Sequence, residues 1–193
     1  MKILVILGHP NAGRSFNRAI AETASAVLKK AGHEPILKDL YVEKFDPIFE
    51  FAEEKLPIEK LPAQLRAEID LVREADGFVI VHPNWWGGPP AVLKGWIDRV
   101  FRAGFAYSFS ADGVVSNFTD KRAIVFSTSN TPRDIETNIY HNPIENFWKT
   151  VVFGLVGSKS FAYRNFEQII LSSEEDRAAW LQEVAEMVKK DFS

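Results

Sequence analysis

MKILVILGHPNAGRSFNRAIAETASAVLKK, residues 1–30, passes from a strand through a short loop into a helix. Lys2 to Leu7 is a continuous apolar run rich in β-branched residues, the pattern of a parallel strand buried on both faces. Phe16 to Lys30 carries Ile20, Ala24, Val27 and Leu28 at helical spacing, with Lys29 and Lys30 in the last turn before Ala31-Gly32. The same alternation continues outward. Glu34 to Leu40 reads as a second strand, and Pro47, Pro57 and Pro62 punctuate a long connection to an amphipathic helix over Leu65 to Glu74. Gly77 to Val81 (GFVIV) is a third strand, Ala91 to Phe101 a third helix and Lys121 to Ser127 a fourth strand. Pro143 to Phe153 reads as a fourth helix, with some strand ambiguity at Val151, Val152 and Phe153. Ser158 to Phe166 is a fifth strand, and Glu174 to Lys190 a last helix capped by Ser172 or Ser173.

Five strand–helix units without an internal repeat or linker predict an α/β fold, a three-layer sandwich around a five-stranded parallel sheet. A sheet of that size suits the flavodoxin-like strand order 2-1-3-4-5, which binds ligands beyond the carboxyl ends of the strands at the switch point. The loops after strands one, three and four are therefore the candidate site.

The bulk properties narrow the chemistry. A length of 193 residues predicts one domain, residues 1–193. With 46% hydrophobic and 25% charged residues the mixture is globular, and a net charge of -3 argues against a nucleic-acid-binding surface. Cysteine is absent, which excludes disulfides, thiolate catalysis and iron–sulfur clusters, so any redox chemistry must come from a bound cofactor. The four histidines, His9, His33, His82 and His141, lack metal-site spacing, and no metal is expected, although His9 and His82 are placed to approach at the strand ends. No G-x-S-x-G elbow is present for a serine hydrolase. The apolar run at the amino terminus is too short for a signal peptide or a membrane span, which places the protein in the cytoplasm with no integral membrane segment.

The first loop, GHPNAGRSFN (Gly8 to Asn17), joins a strand to a helix. Ser15 and Asn17 can cap that helix, and its free amides make an anion site, so a phosphate or pyrophosphate fits there; plain capping is the competing reading. The segment matches neither G-x-G-x-x-G nor the Walker pattern. The third-strand loop opens HPNWWGGPPAVLKGWID (His82 to Asp98), with two tryptophans, two glycines and three prolines in residues 83–91. Fixed φ at proline and unusual φ at glycine make it stiff and specifically shaped, able to present amides and aromatic faces to a flat ring. Trp85 and Trp86 read as ligand contacts; Trp96, inside the helix, reads as core. The fourth-strand loop STSNTP (Ser127 to Pro132) suits the polar edge of such a ring, or equally an Asx-type turn.

The pattern P-x-x-W-x-G-x-P-A-x-L-K-G-W, filled by Pro83, Trp86, Gly88, Pro90, Ala91, Leu93, Lys94, Gly95 and Trp96, resembles the flavin-clamping loop of the NAD(P)H quinone reductase family. His9 with Ser15-Phe16-Asn17, and Asp39-Leu40-Tyr41 followed by Phe45-Asp46-Pro47, resemble it too. The resemblance implies a homodimeric flavoprotein with its active sites at the subunit interface. It implies that a flavin ring rests on Asn84, Trp85, Trp86 and Gly87 beside Pro83, and that its phosphates lie against His9, Ser15, Phe16 and Asn17. Ser127, Thr128, Ser129 and Asn130 stand at the loop where the family often has two glycines, Ser129 and Asn130 in their places. Asn138 to Pro143 falls where the family places a Tyr or His near the flavin. Tyr140 matches better by position and can donate to the ring's O2 and N1 edge as charge develops; His141 is the competing candidate.

The implied activity is two-electron hydride transfer from NAD(P)H to a quinone by a ping-pong mechanism. FAD is the implied cofactor and FMN the alternative. The aromatic cluster Phe101, Phe105, Tyr107 and Phe109 reads as core, dimer interface or pocket wall. Two other roles stay open: azo or nitro reduction, and an ancillary flavin-binding subunit of a potassium efflux system.

Overall fold

The computed structural model describes residues 1–11 and 13–193. Five parallel strands form the central sheet: β1 (Lys2–Leu7), β2 (Glu34–Asp39), β3 (Gly77–Pro83), then, beyond a small hairpin of β4 (Tyr107–Ser110) and β5 (Gly113–Ser116), β6 (Arg122–Thr128) and β7 (Ser160–Phe166). Their order is β2-β1-β3-β6-β7, which is the expected 2-1-3-4-5 arrangement once the hairpin is set aside. The helices are α1 (Phe16–Lys30), α2 (Ala63–Glu74), α3 (Ala91–Val100), α4 (Arg133–Asn138), α5 (143–156) and α6 (Glu174–Asp191).

Strand alternation divides the core into two layers. Leu4, Ile6, Phe78, Ile80, Ala123 and Val125 face one way, onto α2, α3 and α5. Ile3, Val5, Leu7, Val79, Val81, Ile124 and Phe126 face the other, onto α1 and α6. Both faces are apolar because both are covered, which is why these strands read as continuous hydrophobic runs. Helix α1 lays Ile20, Ala21, Ala24 and Leu28 on the sheet. At its amino end Ser15 Oγ accepts from the Arg18 amide at 3.1 Å. Ser173, not Ser172, caps α6, in a reciprocal capping box with Asp176.

The β4–β5 hairpin and helix α4 were not read from the sequence, and helix α5 was read short. The β4–β5 hairpin turns through Ala111 and Asp112, where Ser110 Oγ accepts from the Asp112 amide at 3.3 Å. Phe101 is buried, Tyr107 packs partly buried against the same core and Phe109 is exposed, while all three line one groove, so the aromatic stretch runs from core to surface along a pocket wall. Helix α4 follows Pro132, whose fixed φ of -60° starts the turn. Helix α5 outruns the expected Pro143–Phe153 by three residues and contains a π-helical segment, Phe147–Val152. The wider turn lets Trp148, Val152, Phe153 and Val156 all reach the core, which settles the strand ambiguity at Val151 to Phe153 in favour of helix.

The family motifs also meet in space. A Cβ on Gly95 would overlap the carbonyl oxygen and ring of Pro47, so only glycine admits this approach of α3 to the chain after β2. Arg99 secures the same contact by donating to the Asp46 carbonyl at 2.5 Å while pairing with Glu53.

Candidate functional site

Register brings the three candidate loops to one edge of the sheet. Leu7 lies beside Val81 and Val81 beside Phe126, so β1, β3 and β6 end together. The chain reverses its strand order between β1 and β3, which is where open parallel sheets form their crevice.

In the first loop, His9 is half-buried and its Nδ1 accepts from the Asn11 amide at 3.0 Å. Burial holds this imidazole below its ordinary pKa, so it is neutral and has only Nε2 left for a ligand. Ala12 lies outside the described residues. The first-turn amides of Phe16 and Asn17 have no acceptor within the helix, because helix geometry supplies none. Asn17 is buried; its Nδ2 donates to Thr128 Oγ1 at 2.9 Å, while its Oδ1 has no partner among the described residues. The start of α1 is thereby tied to the end of β6.

The third-strand loop is a tight, pinned turn. Trp85 and Gly88 exchange backbone bonds of 3.0 and 3.1 Å, and the Gly87 amide donates to Asn84 Oδ1 at 3.0 Å. Trp86 and Gly87 have φ of 56° and 72°. A tryptophan in the left-handed region is rare, and this one is fully exposed. The strained turn thus leaves a large aromatic face in solvent. Trp85 is exposed to a lesser degree, and Pro83 is buried as the last residue of β3.

The fourth-strand side chains turn mostly inward. Ser127 Oγ bonds Tyr163 Oη and Asn165 Oδ1, each at 2.8 Å, and Asn165 Nδ2 donates to Ser129 Oγ at 3.0 Å. Asn130 Oδ1 accepts from the Ile170 amide at 3.1 Å. These side chains brace the loop, so the surface they offer a ligand is chiefly backbone.

A cavity of about 570 Å³ opens between these loops, lined by Asn84, Trp86, Gly87, Thr131, Glu136, Tyr140 and Pro143. Four of the predicted residues, Asn84, Trp86, Gly87 and Tyr140, therefore share one space. His9, Ser15, Phe16, Asn17, Pro83, Trp85, His141 and Ser127 to Asn130 do not line it. His141 is exposed, with φ of 59°, and its carbonyl accepts from Asn146 Nδ2 at 2.6 Å. Thr131, Glu136 and Pro143 were missed; Pro132 marks where Glu136's helix starts, but nothing in the sequence marks its side chain. Glu136 is 5% exposed. Its Oε1 accepts from Asn84 Nδ2 at 3.1 Å, and burial raises its pKa against that bond.

His82 stands behind the site. It is fully buried, accepts from Trp148 Nε1 at 2.8 Å through Nε2, and must then donate from Nδ1 to the Pro83 carbonyl at 2.8 Å. Burial pushes its pKa down to about 4. Both nitrogens are committed, so it cannot join His9 on a metal, and no cluster of three metal-ligating side chains exists among the described residues. Trp96 is likewise core, donating to Glu68 Oε2 at 2.9 Å.

The residues fit a flat, polar-edged ring with an anionic tail. An exposed indole supplies a stacking face, and a buried carboxyl and a phenol bound the same cavity. Amides without helical acceptors lie at the start of α1 beside β1. A family described by its flavodoxin-like fold matches residues 1–190. An uncharacterized NAD(P)H oxidoreductase of Haemophilus influenzae is 30% identical over 96% of this chain and 93% of its own length. NAD(P)H dehydrogenase (quinone) 1 of Cavia porcellus is 36% identical over 66% of this chain; the match spans only 53% of that relative. Among solved structures, Smu.1420 from Streptococcus mutans UA159 superposes with a TM-score of 0.86 at 31% identity, covering 98% of this chain and 100% of the other.

Proposed function

The chain belongs to this flavodoxin-like family, and on that premise we propose that it is a flavin-dependent NAD(P)H:quinone oxidoreductase. The observation that carries the proposal is Trp86, held exposed in a left-handed turn on the wall of the 570 Å³ cavity. A bound flavin, FAD by the Ser15-Phe16-Asn17 resemblance, supplies the two-electron, hydride-transferring chemistry. The chain's residues bind and orient. Trp86 and the Asn84–Gly87 turn offer the ring a face and an edge. The start of α1 with Ser15 receives the phosphates. Tyr140 lines the cavity and donates to the ring edge where negative charge develops. With a flavin held there, the open side of the cavity would admit a nicotinamide and then a flat acceptor, the order a ping-pong mechanism requires.

The active unit is a homodimer in the cytoplasm. A second groove of about 520 Å³ runs between α3, the β4–β5 hairpin and α5, lined by Phe109, Phe147, Val151 and Leu155 among others. Phe109 and Val151 are 72% and 60% exposed, an apolar surface suited to a second copy.

The test is the visible spectrum of the purified protein, mass spectrometry of the released chromophore, and NAD(P)H oxidation with menadione. A yellow protein releasing FAD and reducing menadione is expected. A protein that takes up neither FAD nor FMN refutes the proposal. Flavin uptake without turnover of any quinone, nitro or azo acceptor favours the ancillary-subunit reading instead.

A further inference from the structure

Both polar atoms of the Asn84 side chain already have partners within the protein. Its Oδ1 accepts from the Gly87 amide at 3.0 Å, which closes the turn that carries Trp86. Its Nδ2 donates at 3.1 Å to Oε1 of Glu136, a buried residue of α4. Its backbone amide donates to the Thr128 carbonyl at 2.7 Å, fixing it to the end of β6. The Tyr140 segment hangs from that same helix. The Tyr140 amide donates to the Ile135 carbonyl at 3.0 Å, and the Asn142 amide to the Glu136 carbonyl at 2.9 Å. His141 and Asn142 both stand in the left-handed region, with φ of 59° and 53°, and such strain persists only where the surroundings over-determine it. Pro143 then comes back against the turn, since a Cβ on Gly87 would meet its ring at 3.4 Å. The Asn84–Glu136 bond, spanning 52 positions of sequence, is thus a side-chain tie between the part of the cavity wall that carries Trp86 and the part that carries Tyr140.

We propose that Asn84 is a positioning residue, whose bond to Glu136 fixes the Tyr140 segment against the Trp86 turn so that both side chains meet one flat ring at a productive spacing. The inference rests on the oxidoreductase reading above, and it gives the Asn84 side chain a task other than touching the ligand. A ring bound between two loops is oriented only as well as the loops are held, and a displacement of about 1 Å can lower a rate about 100-fold. The tie asks only that Oε1 accept, which a carboxyl does in either protonation state, so the burial that raises the Glu136 pKa leaves it intact.

The test exchanges donor and acceptor. Asn84→Asp keeps the oxygen that closes the Gly87 turn but sets a carboxylate against Glu136. Adding Glu136→Gln supplies a donor and rebuilds the bond with reversed polarity. Adding Glu136→Leu instead relieves the repulsion and supplies no donor. In NAD(P)H oxidation with menadione, Asn84→Asp is expected to lower kcat about 10- to 100-fold while flavin affinity and KM stay within about threefold. The pair with Glu136→Gln should recover most of kcat, and the pair with Glu136→Leu should not. Glu136→Leu alone, which has no facing carboxylates, should show the same loss and keeps the test decisive where Asn84→Asp fails to fold.

Amide hydrogen exchange of the flavin-free protein, read by NMR, is the second measurement. Tyr140 and Asn142 should exchange about tenfold faster in Asn84→Asp and in Glu136→Leu, and return to wild-type rates in the pair with Glu136→Gln. The Gly87 amide should keep its protection in Asn84→Asp. Equal recovery of kcat from both pairs reduces the effect to charge repulsion and overturns the assignment. Recovery from neither pair makes Asn84 a ligand contact and overturns it too. Unchanged exchange at Tyr140 and Asn142 overturns the tie whether or not flavin binds. A protein that never takes up flavin overturns the oxidoreductase reading, and any catalytic use of the tie with it.

Discussion

Acidification should destabilise this protein through His82. The imidazole is fully buried and neutral, held between the Trp148 indole and the Pro83 carbonyl. Its pKa is pushed from 6.5 to about 4 by burial. Above pH 6.5 both the folded and unfolded chains carry it neutral, and its contribution is complete. As pH falls below 6.5 the unfolded chain takes up a proton that the native state refuses, so stability is lost until the folded pKa near 4 is passed. At about 1.4 kcal/mol per pH unit, the loss over that window is at most about 3.5 kcal/mol. His82→Gln removes the titration but disturbs two buried hydrogen bonds, costing about 1–3 kcal/mol at pH 7. The stability difference between wild type and variant should therefore shrink as pH falls through 6.5 and cancel between about pH 6 and about pH 4, according to where in that range the cost at pH 7 lies. Urea unfolding followed by tryptophan fluorescence at fixed protein concentration measures it directly, because the other carboxylates are common to both chains. A difference that stays constant from pH 7 to 4.5 would show that His82 is not the neutral, buried group described here.

Three further outcomes follow from particular contacts. Trp86→Ala should leave the urea midpoint within about 0.5 kcal/mol, since the side chain is fully exposed, yet weaken flavin affinity about tenfold in a fluorescence titration. Gly95→Ala should cost several kcal/mol, on the order of 3, because its Cβ overlaps Pro47; thermal unfolding reads the loss. Leu155→Glu places a charge on the rim of the apolar groove and should shift sedimentation from dimer to monomer, with little effect on the folding of the monomer itself.

Much of the fold was legible because burial writes itself into composition. Ile3, Val5 and Leu7 lie on one face of β1 and Leu4 and Ile6 on the other, and both faces are covered, so the run had to be apolar throughout. Ser15 was legible as a helix cap from its place before α1, and the cap of α6 was narrowed to Ser172 or Ser173, of which the structure uses Ser173. The hairpin was obscured by its partly exposed residues, which carry little periodic signal. Helix α5 was mismeasured because a π turn breaks the 3.6-residue period on which such a reading depends.

The site divides in the same way. The chain by itself determined the stiff Pro83–Trp96 segment, since proline and glycine constrain φ wherever they stand, and it marked Trp86 and Tyr140 as candidates to meet a ring. Only the tertiary structure decided that Ser127 and Ser129 face Asn165 and not the cavity, that His82 is sealed by Trp148, and that Glu136 meets Asn84 through Oε1. Those facts depend on partners from 36 to 66 positions away along the chain, and the direction of a polar side chain is set by which partner the fold brings within hydrogen-bond reach.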